Sequence, residues 1–285
     1  MSGTVPMNTL EFTAITALIS VAAGFLGSLT GLGGGVVIVP VLTLLFGVDF
    51  HYAIGASLVS VIATSSGAAA AYVREGWSNI RAGMFLEIAT CAGALVGAYL
   101  TAILPVRVIA IIFGLVLLWS AWSSMRRKAD RSTSADKEDR LAQILHMDST
   151  YPTPNGPRPY HVHNIPGGFL MMVLAGVLSG LLGIGSGALK VIAMDQIMRL
   201  PFKVSTTTSN FMIGVTAAAS AGVYLSRGYI DPGLAMPVML GVVAGSLAGA
   251  RVLAQAKTRW LRLVFGVVIA IMAFEMIYHG LTGRM

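Results

Sequence analysis

The chain has 285 residues, 55% of them hydrophobic and 11% charged, with a mean hydropathy of +0.78. Soluble domains carry about 25% charged residues, so this composition excludes one and indicates a polytopic membrane protein. A net charge of +7 would suggest nucleic acid in a soluble protein, but here Lys and Arg stand mostly between apolar segments, where they set membrane orientation.

Residues 1–9 carry no basic stretch, so 10–30 reads as a permanent membrane segment rather than a cleaved signal. Apolar segments follow at about 36–48, 52–73, 80–104 and 106–125. The single cysteine, Cys91, lies inside one of them, which leaves no disulfide framework and no thiolate metal site. Residues 126–166 change character: Arg126-Arg127-Lys128 opens a mixed-charge run, and a Pro-rich stretch follows from Tyr151 to Pro159. This reads as a polar cytoplasmic linker, helical in part at most. The apolar pattern then returns at about 168–182, 188–200, 204–226, 233–256 and 260–280. The domains are therefore a first transmembrane repeat (1–125), the linker (126–166) and a second repeat (167–285).

A glycine cluster punctuates each half: Gly31-Leu32-Gly33-Gly34-Gly35 and Gly183-Ile184-Gly185-Ser186-Gly187, separated by a constant offset of 152. The same offset pairs Gly24 with Gly176, Ser57 with Ser209, Thr64 with Thr216, Tyr72 with Tyr224, Gly93 with Gly245 and Arg107 with Arg259. An internal duplication explains a gapless match of this length. Several glycines together interrupt a helix, and interrupted backbone within a bilayer is tolerated only where protein covers it or it lines a polar cavity. Placing the linker and most basic residues on the cytoplasmic side favours halves of opposite orientation. The fold class is thus an all-α polytopic membrane protein of two inverted repeats. Each repeat has a glycine-broken or re-entrant helix pair plus three transmembrane helices, and the short second segments leave five spans or a re-entrant hairpin open.

The early Gly-Leu-Gly-Gly-Gly, the apolar run ending in Pro40, the Gly55-Ala56-Ser57 of the next segment and the second, weaker copy resemble the TauE/SafE sulfite exporter family. The resemblance implies a small-anion transporter of bacterial inner membranes, handling sulfite, thiosulfate, sulfoacetate or related sulfonates, rather than an enzyme. The linker is longer and more Pro-rich than a minimal loop of that family.

Candidate substrate ligands follow from the breaks. Helices opening after each cluster would turn free N–H groups into the gap and form an anion site, built from Gly31, Gly33, Gly34 and Gly35 in one half and Gly183, Gly185, Ser186 and Gly187 in the other. The alternative is close helix packing. Ser57, Ser209 and Asn210 could orient oxygens, or could simply bond between helices. Lys190 is an intramembrane cation and so a functional candidate, with an ion pair to Asp195 or Glu87 as the plain alternative. Asp195, Glu87 and Glu275 are candidate proton carriers. His146, His161 and His163 fall in the linker without carboxylates or thiols at ligand spacing, so no metal and no cofactor is expected. The partners are a small anion and the lipid bilayer, not nucleic acid, and homo-oligomerisation is left open. The competing class is an integral-membrane enzyme or a membrane subunit of a sulfur-metabolising complex, with those histidines as its only material.

Overall fold

A computed structural model of the chain describes residues 9–30, 35–74, 77–125, 139–152, 156–253 and 258–282. The first half contains α1 (Thr9–Thr30), α2 (Gly35–Pro40) with a π-helical continuation (Val41–Leu45), α3 (Phe50–Arg74), α4 (Ile80–Leu100) and α5 (Val106–Met125). Between the halves lie α6 (Arg140–Ile144) and an antiparallel hairpin of β1 (Ser149–Tyr151) and β2 (Arg158–Tyr160). The second half contains α7 (Ile165–Leu182), α8 (Gly187–Ile192) with its own π-helical continuation (Ala193–Ile197), α9 (Phe202–Ser226), α10 (Pro232–Leu253) and α11 (Thr258–Thr282).

The offset read from the sequence recurs in the elements. α2 and α8, their π-helical continuations, and α3 and α9 have identical bounds once 152 is subtracted. So do the turns: Val48 N–H donates to the Leu42 carbonyl at 3.0 Å, and Leu200 N–H to the Met194 carbonyl at 2.9 Å. Pro40 cannot donate and crowds the preceding turn, which would account for the wider winding after it. Ile192 stands at the matching position and the helix widens there too, so the π-turn belongs to the repeat rather than to the proline. Each of these post-break helices has six α-helical and five π-helical residues, near 16 Å, against about 30 Å for a bilayer core.

The helices pack in exchanged pairs. α1 lies against α10 and α7 against α4; α3 lies against α10 and α9 against α4; α3 meets α9 and α5 meets α11. The exchange extends to single residues: Gly24 abuts the Val242 carbonyl, and its counterpart Gly176 abuts the carbonyl of Thr90, the counterpart of Val242. Gly93 and Gly97 meet Val173 and Val177 in step, so α4 and α7 run parallel. Gly55 lies against Tyr229 while Gly214 lies against Ser65, so α3 and α9 run antiparallel; Gly114 against Ala273 and Gly280 against Arg107 show the same for α5 and α11. Small residues let these backbones touch, which is how helices associate where lipid removes the hydrophobic drive.

The outer surface is apolar. Leu18, Ile88, Leu174, Leu225, Leu240 and Phe274 are each more than half exposed, an exterior suited to lipid rather than water. Among the described residues, α4 and α7 are long and apolar enough over their full length to cross a membrane, and six shorter apolar helices accompany them. The chain is a multi-pass membrane protein.

The described part of the linker packs into the fold beyond what its composition predicts. Ala142, Met147, Tyr160 and Val162 are buried in one cluster with Leu86, Met172, Met194, Met198 and Met212. Asn79, the N-cap of α4, donates from Nδ2 to the Met147 carbonyl (2.8 Å) and to the Tyr160 hydroxyl (2.9 Å). Asp148 accepts from Val162 N–H, and Asp139 from Leu141 and Asn164 N–H. The hairpin therefore sits on one end of the bundle, against the start of α4 and α7. Residues 126–138 and 153–155 lie outside the described residues.

Two outcomes are expected. Gly97→Ala, whose Cβ has no room beside the Val177 carbonyl, costs about 1–3 kcal/mol, whereas Gly222→Ala, with open space around it, is neutral or stabilises by up to about 1 kcal/mol; thermal unfolding in detergent reads both. Burial raises the Tyr160 hydroxyl from 10.0 to about 12, its bond from Asn79 pulling the other way. Linker docking should thus be fully supported below pH 10 and weaken as pH rises toward about 12. Protease protection of residues 139–164 should fall over that window, and Tyr160→Phe should flatten the dependence.

Candidate functional site

The second glycine cluster breaks the backbone as its composition requires. Gly183 caps α7 in the left-handed region (φ 68°), its N–H donating to the Ser179 carbonyl at 2.8 Å. Gly185 (φ 70°) and Ser186 (φ 46°) follow in the same region before α8 begins at Gly187. Glycine adopts that conformation freely, while an L-residue such as Ser186 pays about 1–2 kcal/mol. In the first cluster Gly31, Gly33 and Gly34 lie outside the described residues, and Gly35 opens α2.

The start of α2 meets the second break. Gly35 sits against Ser57, Val61 and the Gly183 carbonyl, and Gly183 and Gly185 sit against Ile54 and Ile213. Ser57 Oγ donates to the Gly183 carbonyl at 2.8 Å, and Ser209 Oγ to the Gly187 carbonyl at 3.2 Å. Ser57 thus spends its proton on a carbonyl that the break exposes at the end of α7, and Ser209 on the first carbonyl of α8. Asn210 is half-buried on the neighbouring flank of α9, with Thr206 and Gly214.

A cavity of about 20 Å³ opens at this junction, lined by Val36 of α2, Val116, Trp119 and Ser120 of α5, and Ile184, Ser186, Gly187, Ala188 and Leu189. That is room for about one water. Ser186 Oγ is buried on its edge with no hydrogen-bond partner among the described residues. Val36 and Gly187 both stand in the first turn of a post-break helix, where backbone N–H groups have no partner within the helix. The α5 wall had no sequence signal, because Val116, Trp119 and Ser120 read as ordinary membrane-helix residues.

Lys190 lies one turn along α8, its N–H donating to the Ser186 carbonyl at 3.1 Å. Its side chain is fully buried and points away from the cavity lining, into the contact with α4 and α9. Lys190 Nζ donates to Thr216 Oγ1, which in turn donates to Glu87 Oε1 and lies 3.3 Å from Thr90 Oγ1. Glu87 Oε2 stands 3.9 Å from Nζ, and Cys91 Sγ is 3.4 Å from Oε1. Of the other candidate carboxylates, Asp195 is half-buried on the π-turn after α8 and Glu275 is exposed on α11. His161 Nδ1 is 3.0 Å from Asp148 on the exposed linker, and His146 is exposed beside it. Among the described residues no three His, Cys, Asp or Glu side chains come together as metal ligands.

A family model described as sulfite exporter TauE/SafE matches residues 16–276. The chain belongs to the TauE/SafE sulfite exporter family. It is a transporter family, not an enzyme class, and curated relatives carry the same sense. This family member is 27% identical to the probable membrane transporter protein YunE of Bacillus subtilis over 94% of its own length and 98% of the relative's. It is 27% identical to the probable membrane transporter protein YdhB of the same organism, over 82% and 86%. A shorter stretch, 39% of this chain and 26% of the relative, is 35% identical to the sulfite exporter TauE/SafE family protein 1 of Arabidopsis thaliana. No solved structure matches it.

Removing one partner of the buried pair leaves the other charge stranded. Glu87→Leu should cost about 3–5 kcal/mol, and adding Lys190→Met should recover most of that loss. Denaturant unfolding of the two variants and wild type in detergent checks the non-additivity.

Proposed function

We propose that this protein is a secondary transporter that moves sulfite, or a small organosulfonate or sulfur oxyanion, across the bacterial inner membrane by alternating access. The observation that carries the reading is the meeting of the start of α2, at Gly35 and Val36, with the broken backbone of residues 183–187 at one cavity. The cavity is edged by the buried hydroxyl of Ser186, which has no hydrogen-bond partner among the described residues. Paired broken helices at matching positions of two halves are the usual pointer to a transporter's binding site.

The halves are inverted in this reading, supported by the antiparallel run of α3 with α9 and of α5 with α11. The linker is cytoplasmic, supported by its Arg126-Arg127-Lys128 start. Gly35 on one side and Gly183, Gly185, Ser186 and Gly187 on the other form the anion cradle, with Gly31, Gly33 and Gly34 assigned to it from the sequence repeat alone. Ser57 and Ser209 brace its backbone, and Asn210 is the reserve donor on the α9 flank. Lys190, on the next turn of α8 and paired with Glu87 through Thr216, is the cation held beside the cradle. A cavity sized for one water is the contracted site, and the two broken segments part to admit the anion.

Counterflow of sulfite and sulfoacetate in proteoliposomes tests the reading, with Ser186→Gly alongside. Glycine is the residue at the matching position of the first cluster, Gly34. It removes both the left-handed strain and the orphan hydroxyl, so the variant should be more stable by about 1–3 kcal/mol yet exchange the anion at least about tenfold more slowly. Folded wild-type protein that exchanges neither anion would refute the substrate class.

A further inference from the structure

Resting on that anion-transport reading, we propose that Glu87, Thr216 and Lys190 form a proton-coupling site beside the cavity. It takes up one proton as the anion binds and gives it back as the anion leaves.

The two halves share a scaffold but differ at this place. Lys190 corresponds to Ile38 and Glu87 to Met239, while Thr216 corresponds to Thr64. Ile38 is buried in the core, so the fold builds the equivalent position of α2 with an apolar side chain and does not need a charge there. Buried ion pairs are often replaceable by apolar residues without loss, and ionisable groups inside membranes mark substrate or proton pathways.

The geometry fits a proton site. One hydroxyl, Thr216 Oγ1, accepts from Lys190 Nζ and donates to Glu87 Oε1. The second carboxylate oxygen, Oε2, is buried and has no hydrogen-bond partner among the described residues, which leaves a free lone pair in the cluster. With Glu87 ionised, its charge cancels that of Lys190. A proton arriving at Oε2 forms an O–H bond, neutralises the carboxylate and leaves the Lys190 ammonium uncompensated, so the cluster changes from net zero to net +1. The hydroxyl also supplies a relay: an Nζ–H bond breaks as the proton passes to Oγ1, whose own proton moves to Oε1, giving neutral amine and neutral acid with no change in total charge. Lys190 N–H bonds the Ser186 carbonyl, so the residue that carries the charge appearing on protonation stands on the helical turn next to the cavity. An anion bound there favours the +1 state, and by reciprocity the proton strengthens anion binding by the same factor.

Among the described residues, the titratable group that faces Glu87 besides Lys190 is Cys91, from the next turn of α4. Thr90 presents a hydroxyl. From α7 the residues packed on this stretch of α4 include Val173, Gly176 and Val177, and from α9 Met212 and Thr216; none of these titrates.

The test uses purified full-length protein in proteoliposomes, with the membrane potential clamped at zero by K⁺ and valinomycin. The probe is sulfoacetate, whose acid groups both stay ionised above about pH 5. For one proton per anion, wild type accumulates it about tenfold per pH unit, acid outside. Gradient-driven accumulation is compared with each variant's own exchange at equal pH. Glu87→Gln should bring accumulation to unity, and Glu87→Asp should restore it. Thr216→Val, which keeps both ionisable groups, should slow the gradient-driven phase at least about tenfold relative to exchange. It decides the matter if Glu87→Gln does not fold. In detergent, adding sulfoacetate should draw protons from weakly buffered solution into wild type but not into Glu87→Gln. Wild type that exchanges without responding to the gradient overturns the coupling and leaves the transporter reading standing, as does Glu87→Gln that accumulates like wild type. Wild type that exchanges no anion overturns both.

Discussion

A helix broken inside a bilayer leaves carbonyls and N–H groups that lipid cannot satisfy, and each one left bare costs several kcal/mol. The structure of this protein follows from that constraint at residues 183–187. The Gly183 N–H turns back to Ser179, the Gly183 carbonyl takes the Ser57 hydroxyl, and the Gly187 carbonyl takes the Ser209 hydroxyl. Ser57 comes from the other half of the chain, so the second break is completed only when the first half is packed against it. Gly35 and Ile54 close the same contact from the first half. A duplicated chain can therefore build here, between its copies, what neither copy could keep in lipid alone.

That construction also shapes what can move. A hydroxyl-to-carbonyl bond contributes only about 1 kcal/mol net, because its alternatives are nearly as good when water or a ligand enters. The glycine seams of α4 with α7 and of α1 with α10 are different, since their backbones touch and no side chain can yield. Parallel seams of this kind make each exchanged pair a stiff unit, while the junction at Gly35, Gly183 and Ser186 is held by exchangeable bonds around a small void. Stiff pairs and a soft junction are what rocking of one part against another requires.

Much of this was legible in the sequence because glycine has few reasons to cluster. Gly183 and Gly185 could be read as a break, and the 152-residue offset put the same break in both halves; the matching bounds of α2 with α8 and α3 with α9 follow from it. Ser57 and Ser209 were legible as residues near the break but not in their role, since nothing local tells whether a hydroxyl faces a ligand or a carbonyl. Lys190 was legible as an oddity with Asp195 or Glu87 as its partner, and the choice of Glu87 depended on which helix packs against α8. The linker was the least legible part. Its hairpin is held by Asn79, about 70 residues before it, and by methionines of three other elements, long-range contacts that composition does not encode.

The repeat supplies symmetry, and the chemistry lies where the symmetry fails. Gly34 stands opposite Ser186, Ile38 opposite Lys190 and Met239 opposite Glu87. Each difference puts a polar or charged group into one half only, Ser186 and Lys190 into the second and Glu87 into the first. Each costs stability: left-handed strain and an orphan hydroxyl at Ser186, a buried pair at Lys190 and Glu87. A fold whose rigidity comes from glycine seams and whose exterior is stabilised by lipid can carry those costs at one place. In the proposed alternating-access cycle, two equal frameworks would let the molecule close from either side with similar energy, while an unequal filling would make the two closures respond differently to anion and charge. A wholly symmetric chain would have the first property without the second. It could open both ways but would have no charge of its own to tie the motion to what it carries.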